Sequence, residues 1–288
     1  MPIIIKAGSL TSQASRWVAG TNKQWVGYAA NSDRTSWTFY DRIDAGQPMS
    51  FGLAYGKDAS GNGIYVITNS SSSKQVSVSS TDVTDGNAWT HKDLGYYQYA
   101  YGINVAWSNN VWIAAGVRSA IWRSTDGAAS WTRLDLSSVA GWDDDDPIEG
   151  LAADGNGNWL ISQDGNIYSS TNDGATWARV KVLASSRESR GLAFTNGVWV
   201  CAYTDGSPRT TRLISANPSD LTTWSAFPGA TTLPRPEQIP NTDAVESRFF
   251  RRNAIAADGT GRVVVAPYGT QKMAYADVGL DGSGNPTM

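Results

Sequence analysis

The architecture this sequence predicts is all-β: a six-bladed β-propeller of four-stranded antiparallel blades, residues 1–288 forming one domain whose last blade is incomplete. Three observations predict it. Charged residues make up only 17% of the 288, and just four are Glu (Glu149, Glu188, Glu237 and Glu246), against 29 Gly, 13 Trp and 12 Tyr. That composition suits strands and tight turns and disfavours helices. A short strand pattern recurs as WVAG from Trp17, YVIT from Tyr65, WIAA from Trp112, WLIS from Trp159, WVCA from Trp199 and VVVA from Val263. Its intervals are 48, 47, 47, 40 and 64 residues, and a period of roughly 40–50 residues is that of a propeller blade.

Each repeat supplies its strands in the same order. An apolar lead-in forms the first: FGLAYG from Phe51, YGINVAW from Tyr101, EGLAADG from Glu149, RGLAFTNG from Arg190 and NAIAADGTG from Asn253. The aromatic pattern is the second strand, an alternating stretch the third, and the fourth follows a tryptophan: Trp37, Trp89, Trp131, Trp177 or Trp224. One blade cannot bury both faces alone; six packed radially share a core, with the indoles wedged between neighbours. No linker is long enough to divide the chain. The longest insertion, Ala226 to Arg252, holds Pro228, Pro234, Pro236 and Pro240 and closes on FFRR. It reads equally as a rigid surface loop and as a contact arm.

The two chain ends are assigned by spacing. Trp112 precedes Trp131 by 19 residues and Trp159 precedes Trp177 by 18; Trp17 precedes Trp37 by 20, whereas Trp25 precedes it by only 12. Trp17 therefore marks the second strand of blade one, and PIIIKAG its first. Nothing at the N terminus is then left to complete blade six. KMAYADVG, Lys272 to Gly279, reads as a third strand running into half a turn, and DGSGNPTM follows with no tryptophan and no fourth strand. Such an edge offers unpaired N–H and C=O groups to another chain.

The turns before the fourth strands carry a family resemblance. STDGAASW, with Ser124, Asp126 and Trp131, and STNDGATW, with Ser170, Asn172, Gly174, Thr176 and Trp177, resemble the Asp box, S-x-D-x-G-x-T-W, of BNR-repeat, sialidase-like propellers. Asn172 stands where the pattern has Asp, and Ala128 where it has Gly. ANSDRTSW, SSTDVTDGNAW and SANPSDLTTW are looser copies, so the resemblance spans almost the whole chain. It implies Asp-box turns between third and fourth strands, in which Asp or Asn caps backbone N–H groups, Gly takes a positive φ and Trp packs beneath the next blade. The box is structural and lies on the face opposite the active sites of sialidases.

Several function classes are excluded or disfavoured. The formal net charge is −3 with no basic stripe, which argues against nucleic acid as a partner. Cys201 is the one cysteine and His91 the one histidine, which removes a disulfide framework, most zinc geometries and a His-based triad. No run of about 18 apolar residues exists for membrane insertion, and MPIIIKAG does not have the form of a signal peptide. No cofactor and no metal site is expected. Asp143 to Asp146 reads as a solvated acidic loop rather than a calcium site, because four consecutive residues cannot all point inward. DGNGN at Asp154 imitates an EF-hand start, but Gly165 takes the twelfth position, so it reads as the first hairpin turn of blade four. Cys201 fits a core strand and His91 the surface.

Candidate binding residues gather in the loops that enter the first strands. They are Tyr96, Tyr97, Tyr99 and Tyr101 in one loop, then Glu149, Arg187, Glu188 and Arg190, then Glu246, Arg248, Arg251 and Arg252. Arg118, Arg209 and Arg212 lie between second and third strands. The tyrosines suit sugar stacking or, at period two, the core of a strand. The sialidase resemblance implies an arginine cluster, a Tyr–Glu pair and an acidic Asp; the early Arg-Ile-Pro motif of that family is missing, and RPEQIP at Arg235 does not replace it. The expected function is therefore non-catalytic. The chain is similar in character to propellers of tailed-bacteriophage virion proteins, which implies a tail, fibre or baseplate component made in host cytoplasm. Its implied partners are other virion proteins or copies of itself, with host-surface glycan as a further contact. A sialidase-type glycoside hydrolase and a complex-assembly factor are the alternatives.

Overall fold

The computed structural model describes residues 3–5, 16–20, 25–30, 38–41, 50–69, 76–79, 89–94, 102–116, 121–183, 187–205, 210–226, 255–257, 260–265, 274–283 and 286–287. Among these, every regular element is a β-strand, and the strands form antiparallel sheets in chain order. Sheet one is β1 (Ile3–Ile5), β2 (Arg16–Gly20), β3 (Trp25–Ala30) and β4 (Thr38–Asp41). Sheet two is β5 (Ser50–Lys57), β6 (Gly63–Asn69), β7 (Val76–Ser79) and β8 (Trp89–Lys92). Sheet three is β9 (Gly102–Ser108), β10 (Val111–Gly116), β11 (Ile121–Ser124) and β12 (Thr132–Leu134). Sheet four is β13 (Ile148–Ala153), β14 (Trp159–Gln163), β15 (Asn166–Ser170) and β16 (Ala178–Val182). Sheet five is β17 (Arg187–Thr195), β18 (Val198–Asp205), β19 (Thr210–Asn217) and β20 (Asp220–Ala226). Sheet six has three strands, β21 (Ile255–Ala257), β22 (Arg262–Val265) and β23 (Ala274–Asp277), and a separate hairpin pairs β24 (Gly279–Leu280) with β25 (Pro286–Thr287).

Each aromatic pattern found in the sequence is the second strand of its sheet, and each lead-in the first. PIIIKAG pairs with the Trp17 strand, Ile3 opposite Gly20 and Ile5 opposite Val18, as the spacing required. Cross-strand aromatic pairs recur where first and second strands meet at their turn: Tyr55 opposite Tyr65, Trp107 opposite Trp112, and Phe194 opposite Trp199. Their ring centroids lie 4.8, 6.4 and 4.7 Å apart. The turns are short because left-handed residues close them, as at Asn109–Asn110, Asp164–Gly165 and Asn196–Gly197, all with positive φ. Two such consecutive residues make the turn whose twist matches the strands.

The core is a series of layers between neighbouring sheets rather than one central mass. Val66 and Val76 of sheet two pack with Trp112 and Trp122 of sheet three. Ile113 and Ile121 of sheet three pack with Trp159, Ile161 and Tyr168 of sheet four. Leu160 and Ile167 meet Trp199, Cys201 and Tyr203 of sheet five, and Val200 and Leu213 meet Ile255 and Val263 of sheet six. First strands lie side by side from β5 through β9, β13 and β17 to β21, and β2 meets β5. No comparable contact joins β21 to β1 among the described residues. The described strands thus form an all-β, propeller-like succession of antiparallel sheets, each packed on its neighbours.

Candidate functional site

The side of the molecule where loops enter the first strands is best defined at sheet four. Its loop, residues 135–147, is built by short turns. Asp135 accepts Ser137 N at 3.0 Å, and the N–H groups of Val139 and Trp142 donate to Leu136 O and Val139 O. Leu136 is buried and anchors the loop to the core. Gly141 sits at φ +74°, and a Cβ there would strike the Arg179 guanidinium. Tyr168 donates its hydroxyl to Gly141 O at 2.5 Å and takes the Trp142 ring edge-on at 5.1 Å. Burial pushes the Tyr168 phenol up to about 12, so it remains a donor at neutral pH.

Gln163, 1% exposed, holds the acidic run in place. Its Nε2 donates to Asp143 O at 2.7 Å and Asp146 O at 3.2 Å, and its Oε1 accepts Asp143 N at 3.2 Å. Asp143 in turn accepts Asp145 N, and Trp142 Nε1 donates to Asp144 Oδ1 at 3.1 Å. The outcome is a half-buried indole flanked by four consecutive carboxylates, with Asp164 on the adjacent β14–β15 turn. Asp146 is pushed above the ordinary carboxyl range by partial burial and then by the negative charges of Asp164, Asp143 and Asp145. Among the described residues no group of three or more His, Cys, Asp or Glu is arranged to hold a metal ion.

A second polar corner forms where β13 and β17 run together. Both strands carry a bulge before a glycine, between Ile148 and Gly150 and between Ser189 and Gly191, so Glu149 and Arg190 occupy equivalent positions in consecutive sheets. Glu149 is 8% exposed and accepts Ser189 Oγ at 3.4 Å. Arg187 and Glu188 precede this bulge on β17, and Glu188 O accepts Thr204 Oγ1 at 3.5 Å. Asn104 of β9 reaches Ile148 O from the other side at 3.2 Å. Of the four charged residues predicted here, Glu149 is the one with a described side-chain contact across the two strands, while Arg187, Glu188 and Arg190 are placed by their backbone on β17. Tyr96, Tyr97, Tyr99, Tyr101, Glu246, Arg248, Arg251 and Arg252 lie outside the described residues, as do Arg118 and Arg209.

Sequence reasoning missed Trp142. The indole is not among the residues that the sequence singled out, although its place immediately before four aspartates was a usable signal. The polar box residues form the expected turns, whereas the tryptophan expected beneath the next blade packs toward the preceding one, Trp177 lying with Ile113 of sheet three, and Ala128 takes a positive φ of 67° in place of Gly. In the third box Asp126 accepts Ser124 Oγ and Ser130 N, and in the fourth Asn172 accepts Ser170 Oγ and Thr176 N. Asp154 caps the turn between β13 and β14, accepting Asn156 N and Asn158 N. Cys201 is buried in β18, where burial pushes its thiol up, and His91 is half-buried in β8 rather than fully at the surface.

No protein-family model matches the sequence, and no curated protein matches it. Solved structures do match. An ancestral GH74 enzyme superposes with a TM-score of 0.66 at 15% identity, over 99% of this chain and 37% of that one. The WD40 repeats of RRP9 superpose at 0.56 and 10% identity, over 89% of this chain and 70% of theirs. YCF48 bound to D1 peptide superposes at 0.54 and 13%, over 96% and 83%. The chain spans little more than a third of the ancestral enzyme's length. At these identities the likeness is one of fold: an all-β, propeller-like chain related distantly to glycoside-hydrolase and other propeller proteins.

Proposed function

We propose that the protein recognises carbohydrate at the sheet-four loop of a six-bladed, propeller-like ring. The observation that carries this reading is the half-buried Trp142 ring set among Asp143–Asp146 and pinned by Gln163. A sugar offers C–H faces to an indole and hydroxyl donors to carboxylates, and few, well-held polar groups beside an aromatic surface are what small-molecule sites use.

Hydrolysis is favoured over purely structural binding by two points. Asp146 is raised above the ordinary carboxyl range by partial burial and by the negative charges of Asp164, Asp143 and Asp145, and a carboxyl held toward its protonated form is what a glycosidase uses as general acid. The likeness to an ancestral GH74 enzyme supports the same class. The sialidase form would need three converging arginines and a Tyr–Glu pair, most of which lie outside the described residues. A role on a virion, inferred from composition, is compatible with glycan recognition and adds no residue to it.

Glycan-array screening followed by titration is the direct test. Trp142→Ala is expected to weaken binding at least tenfold with little change in melting temperature. Asp146→Asn is expected to abolish release of reducing ends while sparing affinity. An array without a single hit would sink the proposal, and binding with no turnover would leave a lectin-like module.

A further inference from the structure

The chain holds three Asn-Gly pairs, Asn62–Gly63, Asn156–Gly157 and Asn196–Gly197, each where the first and second strands of a sheet meet. Such a pair is chemically labile wherever the glycine nitrogen can reach the carboxamide carbon, because glycine has no Cβ to hinder the approach. The three sites differ in what holds them. Asn62 Nδ2 donates to Asp58 Oδ2 at 3.0 Å, Asn62 N donates to Asp58 Oδ1 at 2.8 Å, and Asn62 O accepts Asp58 N at 2.8 Å. Asn196 Nδ2 donates to Val278 O at 3.3 Å. Asn156 is exposed, and its backbone N donates to Asp154 Oδ1 at 2.7 Å, while its carboxamide has no partner among the described residues.

The glycine nitrogen is free at the same place. The turns of sheets two and four share one shape: Asp58 N donates to Asn62 O as Asp154 N does to Asn158 O, and each aspartate caps the same two N–H positions. Ser60–Gly61 and Asn156–Gly157 are therefore equivalent. Gly261 holds the corresponding place in sheet six, since its O accepts Val278 N as Gly157 O accepts Asp173 N. Gly61 N donates to Asp58 O at 3.1 Å and Gly261 N to Thr195 Oγ1 at 2.8 Å. Gly157 N has no acceptor among the described residues, and Gly157 takes φ +89°. Sheets two and six place Ser60 and Thr260 before this glycine; sheet four places an asparagine there.

We propose that Asn156 is a site of spontaneous deamidation. Gly157 N gives its proton to solvent base and bonds to Asn156 Cγ. The Cγ–Nδ2 bond breaks and Nδ2 leaves as ammonia, closing a cyclic succinimide. Water then opens the ring, giving aspartate where the new Cγ–N bond breaks and isoaspartate where the original peptide C–N bond breaks. Amide and water become acid and ammonia, and nothing is oxidised or reduced. Either product adds a negative charge to a turn that already holds Asp154 and faces Asp173 across Gly157. Isoaspartate also lengthens the main chain by a methylene just ahead of Gly157. Gly157 O accepts Asp173 N at 3.0 Å, and Asp173 Oδ1 accepts Asn109 Nδ2 of sheet three at 2.9 Å. The modification therefore loosens the bonds that tie sheet three to the sheet-four box. It lies at the end of β13 opposite the loop assigned to carbohydrate and does not rest on that reading.

The full-length protein is held in mildly alkaline buffer, with and without urea. Conversion at each Asn-Gly pair is followed by peptide mass mapping and by labelling with an isoaspartyl O-methyltransferase. In the folded protein Asn156 should convert at least tenfold faster than Asn62 or Asn196, whose carboxamides must first leave their partners. In urea the three should convert at similar rates, which assigns the difference to the fold. The isoaspartate form, separated by its added charge, should exchange the Asp173 amide faster than the parent. Asn156→Ser, the residue sheet two carries there, should abolish the fast labelling and keep the parent's melting temperature. Conversion of Asn156 no faster than the other two in the folded protein, or fast labelling that persists in Asn156→Ser, would overturn the proposal. Unchanged exchange at Asp173 would overturn the loosened junction.

Discussion

Asp126 and Asn172 build the same turn with a carboxylate and an amide. Asp126 accepts Ser124 Oγ at 2.8 Å and Ser130 N at 2.9 Å, with Ser130 Oγ on its second oxygen. Asn172 repeats the first two bonds and uses its Nδ2 to reach Thr176 Oγ1 at 2.9 Å. Geometry alone thus permits either residue, and the charge is what differs. Partial burial pushes the Asp126 carboxyl up, but the Ser130 and Ser124 donors outweigh it and hold the group below its ordinary value. A depressed carboxyl contributes stability that is present above its unfolded value near 4 and lost as pH falls through the folded value. Asp126→Asn should therefore stay within about 0.5 kcal/mol of the parent at pH 7 and flatten the loss of stability below pH 4. Asp126→Ala should cost about 1–2 kcal/mol at pH 7, because three donors lose their acceptor at a mostly solvated turn. Urea titrations at pH 7 and pH 3 measure both, and an asparagine variant as damaged as the alanine one would refute the argument.

Strands were the readable elements, because a period-two apolar stretch beginning with Trp or Tyr is a local signal: all six second strands and the box turns of sheets three and four lie where the sequence places them, the first two boxes lie outside the described residues, and Trp224 falls within the fourth strand of sheet five instead of before it. The bulges were not readable. In SFGLAYG, IEGLAADG and SRGLAFTNG the register shifts just ahead of the glycine, and that shift depends on what the next sheet brings near. The candidate site suffered for the same reason. Glu149 was recognised as a charged residue at a strand start, yet its burial against Ser189 arises between sheets; Trp142 belongs to a loop with no period at all. Gly150 shows the tertiary term plainly. A Cβ there would lie 2.6 Å from Ser162 Oγ, 2.9 Å from Leu192 N and 3.0 Å from Gly191 C. Two of these are backbone of β17 and cannot rotate away, so Gly150→Ala should destabilise by about 2–3 kcal/mol through overpacking. Gly155 has φ +87° and nothing within 4 Å, so Gly155→Ala should cost only about 1 kcal/mol of backbone strain. Thermal melts of the two variants would separate close approach from conformation, and equal losses would mean that β13 and β17 can move apart.

A molecule built of stacked sheets owes its cohesion to what crosses between them, since each layer meets only its neighbours. Asn109 ties the first turn of sheet three to the box of sheet four, and a Cβ on Gly127 of the sheet-three box would run into Asp58–Ala59 of sheet two. The indoles opening the second strands serve the same purpose, but unequally. Trp112 and Trp159 are both fully buried at equivalent positions. Trp112 Nε1 donates to Lys57 O of the preceding sheet at 2.9 Å, whereas Trp159 Nε1 is buried without a hydrogen-bond partner. Replacing either by Phe removes a similar volume and leaves a similar void, so those costs cancel when the two variants are compared. What remains is the indole hydrogen bond. Trp112→Phe gives up a bond to a part-buried carbonyl, while Trp159→Phe removes an N–H that was already unsatisfied. Trp112→Phe should therefore be less stable than Trp159→Phe by about 1–2 kcal/mol, read from urea midpoints at equal slope. Equal losses would show that an ordered water satisfies Trp159, making the junctions between sheets three and four and between sheets two and three energetically alike.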